Sequence, residues 1–255
     1  MKNIFKTIGY ILSLPFVLLV VLLGLLSAKR KAKKYLKDPN SIFPKDRAKI
    51  VYKLFRKFLY LKRVEIEVND IEHLPAKQML FIANHKGILD PIVLFVALYE
   101  AEKIGTISFV AKNELSKKWV TRCVIQLMDG IFLQRDDGRS IYNCYLKETE
   151  NLKKGYSVAV FPEGTRVRGD NFGEFKPATL KVAYENFVAI EPCAIYGTDK
   201  KRKFIKKLPV KIAFLKPVQP TNFINIKQEQ LMATLQASIF VKYNQLKDKP
   251  NEAGK

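Results

Sequence analysis

The 255-residue chain carries 45 Lys and Arg against 24 Asp and Glu, a formal charge of +21, with 48% hydrophobic and 27% charged residues. That balance excludes an intrinsically disordered chain and a polytopic membrane protein, and it leaves room for one sizeable domain plus a membrane element. The three cysteines, Cys123, Cys144 and Cys193, are widely spaced with no CxxC pair, which argues for a reducing compartment and against a structural zinc site.

Residues 7–28 form an uncharged run, TIGYILSLPFVLLVVLLGLLSA, and about 20 apolar residues are what a bilayer core requires of a helix. Lys2 and Lys6 suit the charged start of a signal peptide. The run exceeds a usual signal core, however, and Lys29-Arg30-Lys31 follows as a stop. A retained anchor is expected, with the rest of the chain on the cytoplasmic face of the cell membrane by the positive-inside rule. Pro15 and Gly24 leave both a spanning and a re-entrant course open. Residues 29–63 hold fourteen Lys or Arg against only Asp38 and Asp46. More than half of the net charge therefore sits next to the apolar run, where it suits anionic lipid headgroups.

Residues 47–63 read as an amphipathic helix, with Ile50, Val51, Leu54, Phe55, Phe58 and Leu59 on one face and Lys49, Lys53, Arg56 and Lys57 on the other. The apolar face suits the membrane boundary or the protein's own core equally. From residue 64 the period changes. Strands are expected at 64–68, 79–83, 107–111, 157–161, 188–196 and 210–214, and helices at 91–101, 114–128, 139–154, 178–185 and 228–246. This alternation predicts an α/β fold with a mostly parallel central sheet covered by helices. The expected layout is membrane-anchoring helices over 1–63, an α/β domain over 64–246 and a disordered tail over 247–255.

Two segments carry candidate chemistry: Asn84-His85-Lys86-Gly87-Ile88-Leu89-Asp90 and Phe161-Pro162-Glu163-Gly164-Thr165-Arg166. A histidine held by a carboxylate can take a proton from a hydroxyl near neutral pH, because the ordinary imidazole pKa is about 6.5. Each segment follows an expected strand, and ligands in open α/β sheets gather at the carboxyl ends of strands. Pro91 suits the first turn of a helix, which sets Asp90 at its start within reach of His85. Arg135 and Arg166 suit a phosphate, since guanidinium groups bond its oxygens in pairs. Gly164 permits close backbone approach and Thr165 offers a hydroxyl. Glu163, costly beside a phosphate, is expected to orient an arginine or to accept from a substrate hydroxyl.

These motifs resemble the bacterial 1-acyl-sn-glycerol-3-phosphate acyltransferases, within the wider glycerolipid acyltransferase family. The ordered blocks are Asn84-His85-(x)4-Asp90, the 130–135 stretch Gly-Ile-Phe-Leu-Gln-Arg, the 161–166 stretch, and Pro192 in an apolar strand. The resemblance covers about residues 64–220. Two departures stand out: Gly87 where the family often has Ser or Thr, and Pro177-Ala178 where a glycine is common. The resemblance implies direct transfer from an acyl thioester to the 2-hydroxyl of lysophosphatidic acid, giving phosphatidic acid. His85 would be the base and Asp90 its orienting group, with Arg135, Glu163, Gly164, Thr165 and Arg166 binding the acceptor. No cofactor or metal is implied; the acyl donor, acyl-acyl-carrier-protein or acyl-CoA, is a co-substrate. No Gly-x-Ser-x-Gly elbow is present, so no covalent acyl-enzyme is expected.

Glycerol 3-phosphate or another lysolipid as acceptor is the alternative reading with the same chemistry. A non-enzymatic basic protein would explain the charge, but no nucleic-acid module is recognisable and nucleic acid is not an expected partner. His73 reads as structural or exposed. Lys200 to Lys203, Lys206 and Lys207 read as a solvated face, or as a surface for anionic lipid or an acidic carrier protein.

Overall fold

The structure, a computed structural model, describes residues 2–75, 77–103, 106–200 and 206–249. In chain order it runs α1 (Lys2–Lys37), α2 (Pro44–Leu61), β1 (Val64–Asn69), β2 (Leu80–Ala83), α3 (Asp90–Glu100) and β3 (Ile107–Lys112). It continues with α4 (Trp119–Leu127), β4 (Ile131–Leu133), α5 (Gly138–Lys153), β5 (Ser157–Val160), α6 (Lys181–Asn186), β6 (Ile190–Tyr196), β7 (Leu208–Phe214), α7 (Pro220–Phe223) and α8 (Gln228–Asp248). The seven strands form one sheet in the order β1-β7-β6-β2-β5-β3-β4. Every pairing is parallel except β6 with β7. The expected mostly parallel sheet is thus present.

Side chains alternate between two apolar layers, as the two-residue period of a strand dictates. Phe81 and Ala83 of β2, with Cys193 and Ile195 of β6, join α1, α2, α3 and α4 in one cluster. Leu80 and Ile82, with Ile190 and Ala194, join α6 and α8 in the other. Both faces are covered, which is why the strands read as near-continuous apolar runs.

Several elements differ from expectation. β4 was absent from the expected strands; it has three residues and pairs only with β3. The helix expected over 114–128 is split: Asn113–Lys117 is a 3₁₀ segment, Lys118 is extended, and α4 follows. The split has a local cause, because Ser116 bonds the Asn113 carbonyl and Thr121 bonds those of Leu115 and Lys118. α6 likewise starts at Lys181, after a 3₁₀ turn over Pro177–Leu180. The tail expected to be disordered begins in order: Lys247 and Asp248 end α8. The buried Lys211 ammonium donates to the carbonyls of Leu246 and Lys249, a cation at a helix C-terminus. Residues 250–255 lie outside the described residues, as do 201–205 of the basic stretch.

α1 continues through the basic block to Lys37; Lys and Arg are good helix formers. The segment Thr7–Lys37 is long and apolar enough to cross a membrane, and only 6% of its most apolar window is buried. α2 runs back beside it: Tyr10 Oη donates to Leu61 O at 2.9 Å, Ser13 Oγ meets Tyr60 Oη at 2.7 Å, and Gly24 lies against Leu54. A groove of about 360 Å³ between them is lined by Phe16, Val17, Val20, Arg56, Lys57 and Tyr60. The apolar face of α2 belongs to the core, with Ala48, Val51, Leu54 and Leu59 buried.

Arg47 enters that core as an ion. It is 2% exposed, donates to Asp129 Oδ2 at 2.6 Å and to Leu127 O at 2.9 Å, and lies over the Tyr35 ring.

Glu191, on β6, is fully buried with neither carboxyl oxygen hydrogen-bonded, and burial pushes its pKa up to about 9. A folded pKa above the unfolded value of about 4.3 means that the folded state holds the proton more tightly. The contribution of Glu191 to stability therefore falls as pH rises from about 4 to about 9, by at most about 1.4 kcal/mol per pH unit. Glu191→Gln is expected to flatten this slope, read from urea midpoints between pH 5 and pH 9. An unchanged slope in the variant assigns the pH dependence elsewhere.

Candidate active site

Three strand ends build the site. β2 delivers Asn84 and His85, β5 delivers Phe161 and Glu163, and β6 delivers Gly197 and Thr198. Asn84 ties two of these together, donating from Nδ2 to Ile195 O at 2.9 Å and accepting from Ile195 N at 2.8 Å. Asp90 opens α3 with Pro91 in the first turn. Proline suits that position, because its missing N–H is one the helix cannot use.

His85 Nδ1 lies 2.8 Å from Asp90 Oδ2. The same oxygen accepts from the backbone N–H groups of Lys86 at 2.6 Å and Gly87 at 2.8 Å, while Oδ1 accepts from the Thr198 hydroxyl. Asp90 is completely buried, and four groups meet its carboxylate, which is how a buried polar group is satisfied. The His85 side chain is 19% exposed and its ring stacks on Phe161, with centroids 4.5 Å apart. With Nδ1 turned to the carboxylate, Nε2 has no partner among the described residues and is the nitrogen available to a substrate proton.

Glu163 turns to backbone amides rather than to an arginine among the described residues. It is buried, with Oε1 accepting from His85 N at 2.6 Å and Oε2 from Gly173 N at 2.8 Å. Burial raises its pKa, opposed by those two amides and then by Lys86 and His85. It therefore clamps the base loop to the segment after β5. Val167 N donates to His85 O at 3.0 Å in the same seam. Lys86, unremarked in the sequence, crosses it too: the buried side chain donates to Asn171 O and lies over the Phe172 ring at 4.5 Å.

The cationic residues gather at Gly164. A side chain there would meet Arg135 Cζ at 3.7 Å and Lys176 Cε at 3.8 Å, and the backbone is left-handed with φ +68. Arg135 is half-buried, which lowers its pKa against the opposing pull of Glu114 and Asp136; a guanidinium stays charged at any ordinary pH. Thr165 and Arg166 follow on the exposed surface, with no hydrogen bond to other described residues. Lys176 was missed because it carries no motif signature. Among the described residues no group of three or more His, Cys, Asp or Glu could hold a metal. All three cysteines are buried, and burial raises each thiol, that of Cys144 to about 12. A thiolate nucleophile is disfavoured at each.

Residues 65–196, just over half of the chain, match the acyltransferase family. The chain belongs to the acyltransferase family. Relatives of this acyltransferase include proteins named probable 1-acyl-sn-glycerol-3-phosphate acyltransferase in two mycoplasmas. The one from Mycoplasma pneumoniae is 34% identical over 92% of both chains. The one from Mycoplasma genitalium is 35% identical over 90% of this chain and 89% of its own. The fold matches that of the crystal structure of the 1-acyl-sn-glycerophosphate acyltransferase PlsC from Thermotoga maritima, with TM-score 0.67, 23% identity and 98% of both chains covered. In this acyltransferase the family match ends at Tyr196, two residues before Thr198.

Proposed function

We propose that the chain transfers an acyl group from an acyl thioester to the free 2-hydroxyl of 1-acyl-sn-glycerol 3-phosphate, giving phosphatidic acid. The observation that carries this reading is the His85–Asp90 pair, 2.8 Å apart, with Nε2 unpartnered among the described residues, in a chain whose relatives bear that activity in their names. His85 Nε2 takes the hydroxyl proton as the oxygen attacks the thioester carbonyl. The carbon–sulfur bond then breaks, and the proton leaves with the thiol. Asp90 holds the imidazole tautomer and stabilises the imidazolium without being protonated itself. Arg135, Lys176 and Arg166 hold the acceptor phosphate around Gly164, with Thr165 donating to an oxygen. Glu163 supports both loops through the backbone.

The donor is acyl-acyl-carrier-protein or acyl-CoA, and the basic surface suits either polyanion. The exposed apolar side of α1, including Leu12, Phe16, Leu19 and Leu23, and the basic block beside it seat the enzyme on anionic lipid at the cytoplasmic face.

The test is thiol release by the full chain in mixed micelles, with acyl-CoA and acyl-carrier-protein donors. The acceptors are lysophosphatidate, glycerol 3-phosphate and a lysolipid lacking the phosphate monoester. Lysophosphatidate is expected to give the highest kcat/KM. Preference for glycerol 3-phosphate would replace this acceptor, and release independent of any acceptor would remove the transfer reading. In the same assay Arg135→Ala is expected to raise the KM for lysophosphatidate by about tenfold or more, the loss of a charge-assisted contact. The donor KM should hold, and if it rises equally, Arg135 serves the donor instead.

A further inference from the structure

Thr198 stands outside every motif and beyond the family match, yet its hydroxyl meets the carboxylate that orients His85. Two glycines make that contact possible. Gly197 has φ +92, and a Cβ there would lie 2.7 Å from Pro209 O. The chain leaving β6 can therefore bend sharply only at a residue without a side chain. Gly87 supplies the second opening, because a Cβ on it would lie 2.6 Å from Thr198 O. The backbone of Thr198 thus packs directly on the base loop, and its nearly buried hydroxyl is delivered to Asp90 Oδ1.

The division of donors between the two carboxylate oxygens gives this contact a consequence. Oδ2 takes His85 Nδ1 and two loop amides; Oδ1 takes Thr198 alone among the described residues. Rotation about the Cβ–Cγ bond would move Oδ2 off the imidazole, and the Thr198 hydroxyl is what opposes it from the far side. We infer that Thr198 is a positioning residue of the His85–Asp90 pair, fixing the carboxylate so that Oδ2 stays aligned with the imidazole. The inference rests on the proposed role of His85 as base only where activity is the readout.

The charged or titratable groups acting on this cluster are Lys86 of the base loop, Glu163 and Asp170 after β5, Asp199 after β6, and Tyr243 of α8. Thr198→Val keeps the shape and alters none of them, whereas Thr198→Ser keeps the hydroxyl. Without its donor on Oδ1 the carboxylate can turn and carry Oδ2 off the ring, which weakens its support of the protonated imidazole.

The experiment follows the ring resonances of His85 by NMR as pH is varied, alongside thiol release, in the full chain in micelles. His73 is the only other histidine, so assignment needs one further variant. In Thr198→Val the His85 titration midpoint is expected to move to lower pH, with kcat down about tenfold and the KM values within about threefold. Thr198→Ser is expected to restore both. A His85 titration that Thr198→Val leaves unchanged or moves to higher pH overturns the inference even if activity falls, and so does an equal defect in Thr198→Ser. If His85→Gln keeps its activity, the base assignment fails, while a titration shifted to lower pH in Thr198→Val still upholds the positioning role.

Discussion

Replacing His85 by glutamine is expected to slow thiol release by about 10²- to 10⁴-fold, the range that a positioned general base contributes. The substitution keeps a planar polar side chain, and the buried Asp90 retains its bonds from Lys86 N, Gly87 N and Thr198. The loss should therefore fall on kcat, with folding and the acceptor KM little changed. Wild-type activity should decline as pH falls, because only the neutral imidazole can accept the proton, and the variant should lack that dependence. A variant that keeps more than a tenth of the wild-type rate removes His85 as the base. Among the described residues His73 is the other imidazole, and it lies in the 3₁₀ turn after β1 rather than at the carboxyl ends of β2 and β5.

The largest expected stability effect lies away from the site, at Asp129. Its carboxylate balances the buried Arg47 guanidinium and also accepts from the Tyr35 hydroxyl. Its backbone carbonyl accepts from Ser108 Oγ at 2.7 Å and Asn151 Nδ2 at 3.0 Å. Asp129→Ala strands a cation that is 2% exposed, and removing one partner of a buried pair costs about 3–5 kcal/mol. It also asks a residue with φ +51 to give up a side chain that tolerates that conformation. Urea midpoints should drop accordingly. Asp129→Asn should lose less, since it keeps the backbone preference and hydrogen bonds to Arg47. A loss below about 1 kcal/mol for Asp129→Ala would sink the buried-pair account. Gly130 and β4 follow Asp129 and lead to Arg135, so the acceptor KM is expected to rise in the same variant.

The long apolar runs were legible because a sheet buried on both faces demands them; β2 and β6 sit where the runs of apolar residues place them. β4 was not, since three residues between Gly130 and Arg135 give no usable period. The extent of α1 to Lys37 was not legible, because charge at Lys29 marks the edge of an apolar run and not of a helix. At the site, the spacing of His85 and Asp90 and the position of Pro91 foretold their contact. Glu163 was legible as a member of the site but not in its partners: nothing in a sequence says that a carboxylate will turn inward to two amides. Gly87 read as a missing hydroxyl, whereas in three dimensions it is the space that Thr198 occupies. That contact spans 111 residues and depends on the bend at Gly197, which no local pattern encodes.

The return of α2 along α1 fixes how deeply the pair can sink. Arg56 and Lys57 share a groove with Phe16, Val17 and Val20, so they stand level with the middle of the apolar run. Arg56 is held by Glu100 at 3.2 Å; Lys57 has no acidic partner among the described residues. Standing α1 upright across a hydrocarbon layer about 30 Å thick would carry both cations toward its midplane. Each ion there costs at least about 2.5–3.5 kcal/mol. Laid along one surface, the same pair keeps its ions among phosphates and its leucines among acyl chains. An enzyme riding in that posture would draw on one leaflet and return its product to the same one.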